Sequence, residues 1–169
     1  NFPTYDLFMA RETNLTTSQL NSSMWDAANT LRGSAVDRTD WKGYILPLIF
    51  FKRISDVWDE EHARMLEQYG EDFKDEHRFQ IPDGCHWDDI RSTPQNVGAA
   101  LKHAMQEIER VNPDTLYRVF GTGDWGNKEK FTDELIKDMI EGFSAIELGN
   151  NAVDTDVLGD AYEYLVGKF

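Results

Sequence analysis

With 169 residues, 40% of them hydrophobic, and 17 Lys+Arg against 31 Asp+Glu for a formal net charge of −14, the chain reads as one acidic domain able to bury a core. A single cysteine, Cys85, excludes a disulfide framework, and the longest apolar run, Tyr44 to Phe51, falls far short of the roughly 20 residues that cross a bilayer. Acid excess along the whole length, heaviest over residues 121–169, excludes the broad basic face of a freestanding DNA binder.

Residues 1–15 show no periodicity and are expected to form an N-terminal arm packing through Phe2, Tyr5, Leu7 and Phe8. From Thr17, the positions Leu20, Met24, Ala27, Ala28 and Leu31 line one helical face, and Gly33 stands where a left-handed residue ends a helix. A long central helix is expected from about Thr39 to Tyr69, closed by Gly70. Pro47 inside it predicts a kink or a start near Ile45, because its ring clashes with the preceding turn and it donates no hydrogen bond. Residues 71–92 read as a connecting loop, with one short extended hairpin near 79–90. Ser92-Thr93-Pro94 supplies an N-cap and a proline at the first helical position for a third helix. Its stripe is Val97, Leu101, Ala104, Met105, Ile108 and Val111, stopped by Asn112-Pro113.

A fourth helix is read from Phe131, Leu135, Met139 and Phe143, widened by Ile136 and Ile140. Gly149-Asn150-Asn151 stop it, and Leu158, Ala161, Tyr162, Leu165 and Phe169 begin a fifth. The fold class is all-α: a helical bundle over residues 16–169 without internal repeats. The opening on Asn1 and the close on Phe169 within a periodic stretch read as cuts in a longer polypeptide. The lone cysteine and the missing secretory segment predict a cytoplasmic setting.

Chemistry is sparse. Gly121-Thr-Gly123-Asp-Trp-Gly126 has the spacing of a phosphate-cradling loop, but it lacks the preceding buried strand and reads as a turn-rich connector. Cys85, His86, His62, His77 and His103 have no metal-ligand spacing, so no metal site is expected, and Cys85 reads as packed. The carboxylate pairs at Asp59-Glu60-Glu61, Glu71-Asp72, Asp75-Glu76 and Asp88-Asp89 read as solvated faces. Trp25, Trp41, Trp58, Phe50, Phe51 and Phe143 read mostly as core. The candidates for DNA or partner contact are Arg32, Lys52, Arg53, Lys128 and Lys130, with Arg38 beside them. A salt bridge to Asp56 accounts equally well for Lys52 and Arg53.

Trp25-Asp-Ala-Ala-Asn-Thr-Leu31-Arg32-Gly33, followed by Tyr44-Ile-Leu-Pro-Leu-Ile-Phe-Phe-Lys52-Arg53-Ile54-Ser55-Asp56, resembles the N-terminal helical domain of the methylation subunit of type I restriction-modification systems. The Phe79 to Trp87 segment, the Val97-Gly98 to Asn112-Pro113 helix and the Asp156 to Phe169 stretch resemble later motifs of that domain, in the same order. The departure is Pro47, where the family more often carries a residue compatible with helix. The resemblance implies a parent S-adenosylmethionine-dependent adenine-N6 DNA methyltransferase. Its partners would be a DNA-specificity subunit, a second methylation subunit, a restriction subunit and double-stranded DNA. It places the catalytic and cofactor-binding residues after Phe169, since Asn112-Pro113-Asp114 fails the Asn-Pro-Pro-aromatic pattern at its third position. The 169 residues by themselves are then expected to be inactive and to serve subunit assembly and DNA enclosure. Two other readings stay open: a freestanding acidic helical adaptor, and a small hydrolase using a carboxylate pair.

Overall fold

The computed structural model describes residues 15–70, 77–150 and 159. Its helices in chain order are α1 (Thr17–Leu31), α2 (Lys42–Tyr69), α3 (Trp87–Arg91), α4 (Val97–Val111) and α5 (Asp133–Ser144). A 3-10 turn at Arg38–Asp40 leads into α2, and no strand occurs among the described residues. The all-α expectation therefore holds. The expected arm, apart from Leu15, and the fifth helix lie outside the described residues, Gly159 excepted.

A capping box opens α1: the Thr16 hydroxyl accepts from the Gln19 amide at 3.1 Å, and the Gln19 side chain accepts from the Thr16 amide at 2.8 Å. Two of the helix's orphan donors are thereby satisfied. Leu20, Met24, Ala28 and Leu31 then form a fully buried stripe that lies on α5. The N-terminal half of α2 is the spine of the core, burying Tyr44, Ile45, Leu48, Phe51, Ile54 and Val57, whereas Leu66 and Tyr69 near its end are exposed. The bulkiest fully enclosed side chains are Trp125, Phe51, Phe131 and Phe143. Each side chain of this kind stabilises by about 1.5–3 kcal/mol relative to an exposed one.

Three local expectations are corrected. The hairpin near 79–90 does not form: the chain turns at Asp83-Gly84 and enters α3 at Trp87. His86 is the N-cap of α3, and Asp89, three residues on, accepts from the His86 amide at 3.0 Å. The indole of Trp87 packs beside Phe51 at 5.3 Å between centroids and donates to Ser144 Oγ at 2.8 Å, which fixes α3 to α2 and α5. Pro47 does not move the start of α2 to Ile45. The helix opens at Lys42 and runs through Pro47, whose missing N–H leaves the Gly43 carbonyl without its helical donor.

The third correction is the start of α4. The cap is not at Ser92-Thr93. Asn96 takes a left-handed conformation, φ 56°, and α4 begins at Val97. The cap comes from another helix: Asp133, first residue of α5, accepts the Asn96 amide at 2.9 Å and the Val97 amide at 3.0 Å. Lys137 on the next turn of α5 donates to the Pro94 carbonyl at 2.6 Å. The amides of Asn96 and then Val97 hold the Asp133 carboxyl below the ordinary aspartate range. Because that value is depressed on folding, its contribution is complete at neutral pH and is lost as pH falls from about 4 through the lowered value. Asp133→Ala is expected to lower the melting temperature at pH 7 and to flatten the acid limb of stability. Melting curves at pH 7 and pH 3 check this; a variant with the same acid sensitivity as the parent refutes the cap.

Candidate nucleic-acid and partner interface

The basic candidates separate into two groups. Arg32, just past the end of α1, and Lys130, just before α5, line one cleft of about 290 Å³ together with Ser34, Thr132 and Glu129. The reversal of the chain at Gly33, φ 82°, brings the two together. Arg32 is exposed and Lys130 half-buried. Among the described residues no ion pair engages either. Lys128, also exposed, donates to Asn96 Oδ1 and so braces the left-handed turn before α4.

Lys52 and Arg53 point the other way, into the protein. Lys52 is only 3% exposed and Asp56 7%. Lys52 Nζ donates to Asp56 Oδ2 and, at 2.8 Å, to the Ile146 carbonyl. Asp56 Oδ2 also accepts the Leu148 amide at 2.8 Å. Arg53 donates to the Leu148 carbonyl at 2.6 Å and to Asn150 Oδ1. The Glu60 carboxylate lies so close to Gly149 that a Cβ there would meet Oε1 at 2.0 Å. Of this set, only the Lys52–Asp56 pairing at i, i+4 is visible locally. Burial lifts the Asp56 carboxyl above the ordinary range despite the ammonium beside it. Asp59 and Glu147 are raised as well, by burial first and then by the Asp56 charge.

The remaining sequence candidates resolve into packing. In the Gly-rich loop, a Cβ on Gly123 would meet the Tyr44 ring at 2.9 Å and Trp125 Nε1 at 3.2 Å. The glycine is thus required by a close approach to aromatic rings. Among the described residues no strand precedes the loop, and α5 starts only at Asp133, so the strand-loop-helix arrangement that cradles a phosphate is not formed by them here. Its outer side borders a second cleft of about 290 Å³ lined by Lys102, Gln106, Glu109 and Thr122. Cys85 is buried, and burial pushes its thiol up, which keeps it protonated and unreactive.

His62, His77 and His86 gather around Trp58, a cluster with no signal in the sequence spacing. The His62 and His77 rings lie within 12° and 10° of parallel to the indole, at 5.1 Å and 4.1 Å, and His86 meets it edge-on at 4.5 Å. Parallel stacked imidazoles do not aim their nitrogens at one point. Among the described residues no group of three or more His, Cys, Asp or Glu is disposed to hold a metal ion. No described helix is long and apolar enough to cross a membrane.

The arrangement is that of an all-α domain whose polar features are caps, clasps and one bibasic cleft. A family model described as HsdM N-terminal domain matches residues 20–143, from the first buried leucine of α1 to the last buried phenylalanine of α5. The chain belongs to that family, the N-terminal region of the methylation subunit of type I restriction-modification systems. Comparison with curated proteins gives no match.

Proposed function

We propose that these residues are the helical domain through which an S-adenosylmethionine-dependent adenine-N6 DNA methyltransferase subunit joins its complex and helps enclose DNA. In this reading cofactor and catalytic groups come from sequence outside these residues. The partners are the DNA-specificity subunit, a second methylation subunit, the restriction subunit and double-stranded DNA. The observation that carries the proposal is the family match over the whole α1–α5 core. A net charge of −14 suits a domain that leaves base reading to a partner and uses its acidic faces to steer a basic one.

DNA contact in this reading falls to Arg32 and Lys130, which share a cleft, and to the exposed Lys128 two residues earlier in the chain. Each such cation neutralises one phosphate, and the counterion released contributes about 0.9 to the salt slope. In the assembled methyltransferase, Arg32→Glu with Lys130→Glu is expected to weaken DNA binding about tenfold or more and to make the slope about 1–2 shallower, uniformly across sequences. Titrations at several salt concentrations measure both. Unchanged affinity and slope would show that the cleft is merely solvated.

A further inference from the structure

The segment after α5 is attached to the bundle unlike any other described part of the fold. Its apolar anchorage is one fully buried side chain, Leu148, and the half-buried Ile146, while Ala145, Glu147 and Asn150 are exposed. Apart from a local backbone bond from the Ile146 amide to the Phe143 carbonyl at 3.3 Å, the hydrogen bonds that hold it among the described residues come from α2. The Ile146 carbonyl, the Leu148 amide, the Leu148 carbonyl and the Asn150 side chain all bond to Lys52, Asp56 or Arg53, across 92 to 97 residues of sequence. Inside a helix face formed by Phe51, Ile54 and Val57, a buried ammonium and carboxylate are an expensive way to fill space. What they do that apolar side chains of equal volume cannot is select specific peptide groups in a specific register.

We infer that Lys52, Arg53 and Asp56 form a polar latch that holds residues 146–150 on α2 as a separately opening unit, so that this segment releases while the helical core stays folded. Cooperative opening units are bounded where few apolar contacts cross, and the boundary after α5 has that character. Like charge also crowds the latch: the Asp56 carboxylate acts against Asp59 and Glu147, and Glu60 acts against Glu147, while Glu60 favours the Arg53 guanidinium. By contrast, the seams of α1 with α5 and of α4 with α5 are closed by fully buried residues such as Leu20, Leu101, Ile136 and Phe143.

Native-state hydrogen exchange on the full chain, read peptide by peptide by mass spectrometry, tests it. The variants are Arg53→Ala and the double Lys52→Met with Asp56→Leu, which removes both buried charges together. A charged hydrogen bond lost from a local opening unit is expected to speed exchange in 146–150 about tenfold or more in each variant. Peptides from α1, α4 and α5 should keep their parental protection. Phe143→Ala serves as the contrast, since a core cavity should accelerate all of these peptides together. Two results overturn the latch: exchange in 146–150 that stays at the parental rate, or that rises only in step with the core. Arg53 is half-exposed and its removal leaves the ion pair intact, so the test stands even where the double variant fails to fold.

Discussion

Asp56→Ala is expected to destabilise the fold by about 3–5 kcal/mol, because it strands a buried ammonium. Lys52, 3% exposed, would keep the Ile146 carbonyl as a partner but lose the carboxylate hydrogen-bonded to it, and the Leu148 amide would lose its acceptor. For a chain of this size that corresponds to a fall in melting temperature of about 10 °C. Lys52→Met strands the carboxylate in its place, but a carboxyl can escape by taking up a proton. Asp56 already sits above the ordinary range through burial, and without the ammonium it rises further. A group raised on folding stabilises below its unfolded value and ceases to as pH rises through its folded value. Lys52→Met should therefore be milder in mildly acidic buffer and worsen toward neutral pH, whereas Asp56→Ala has no such relief. The double variant Lys52→Met, Asp56→Leu should come close to the parent, since two desolvation penalties vanish with the attraction. Chemical denaturation of Lys52→Met, Asp56→Leu and the double variant measures a coupling energy. Single effects that simply add would mean the two charges do not depend on each other.

What was legible in the sequence and what was not divide along a physical line. The stripes of α1, α4 and α5 were readable because burial repeats with the helical period, so Leu20-Met24-Leu31 or Leu101-Met105-Ile108 report their own environment. Gly70 was readable as the end of α2 for a similarly local reason: φ 74° suits glycine. The start of α4 was not, because its cap is Asp133, 36 residues downstream, which nothing near Ser92-Thr93-Pro94 announces. A helix of five residues such as α3 is too short for a period, although its cap signal, His86 with Asp89 three residues on, was present. At the candidate interface the limit is the same. Basic residues could be counted, but which would share a cleft depended on Gly33 turning the chain back toward Lys130. For Lys52 the salt bridge to Asp56 was legible at i, i+4, but the contacts of Lys52 and Arg53 with the loop at 146–150, more than 90 residues away, were not.

Gly98→Ala is expected to cost about 2–3 kcal/mol net, in a helix where alanine is by itself preferred over glycine by about 1 kcal/mol. Gly98 is the second residue of α4, and the loop that carries Trp125 crosses directly over it. A Cβ there would meet the Trp125 carbonyl oxygen at 2.0 Å and Ile136 Cδ1 at 2.9 Å. The isoleucine can turn aside, but a carbonyl is backbone. Relief requires lifting Trp125, which is 2% exposed and packed against Tyr44 and Phe131 at ring-centroid distances of 5.0 and 5.1 Å. The substitution thus acts at the junction of α4, α5 and the Gly-rich loop, and a change in tryptophan emission should accompany the loss. Gly142 gives the opposite sign. It lies inside α5, exposed, and a Cβ built on it meets nothing within 4 Å. Gly142→Ala should therefore stabilise by about 0.5–1 kcal/mol, through helix preference and a less flexible unfolded chain. Thermal melts of the two variants settle the matter, since propensity alone predicts gains in both and only the close approach at Trp125 makes them diverge.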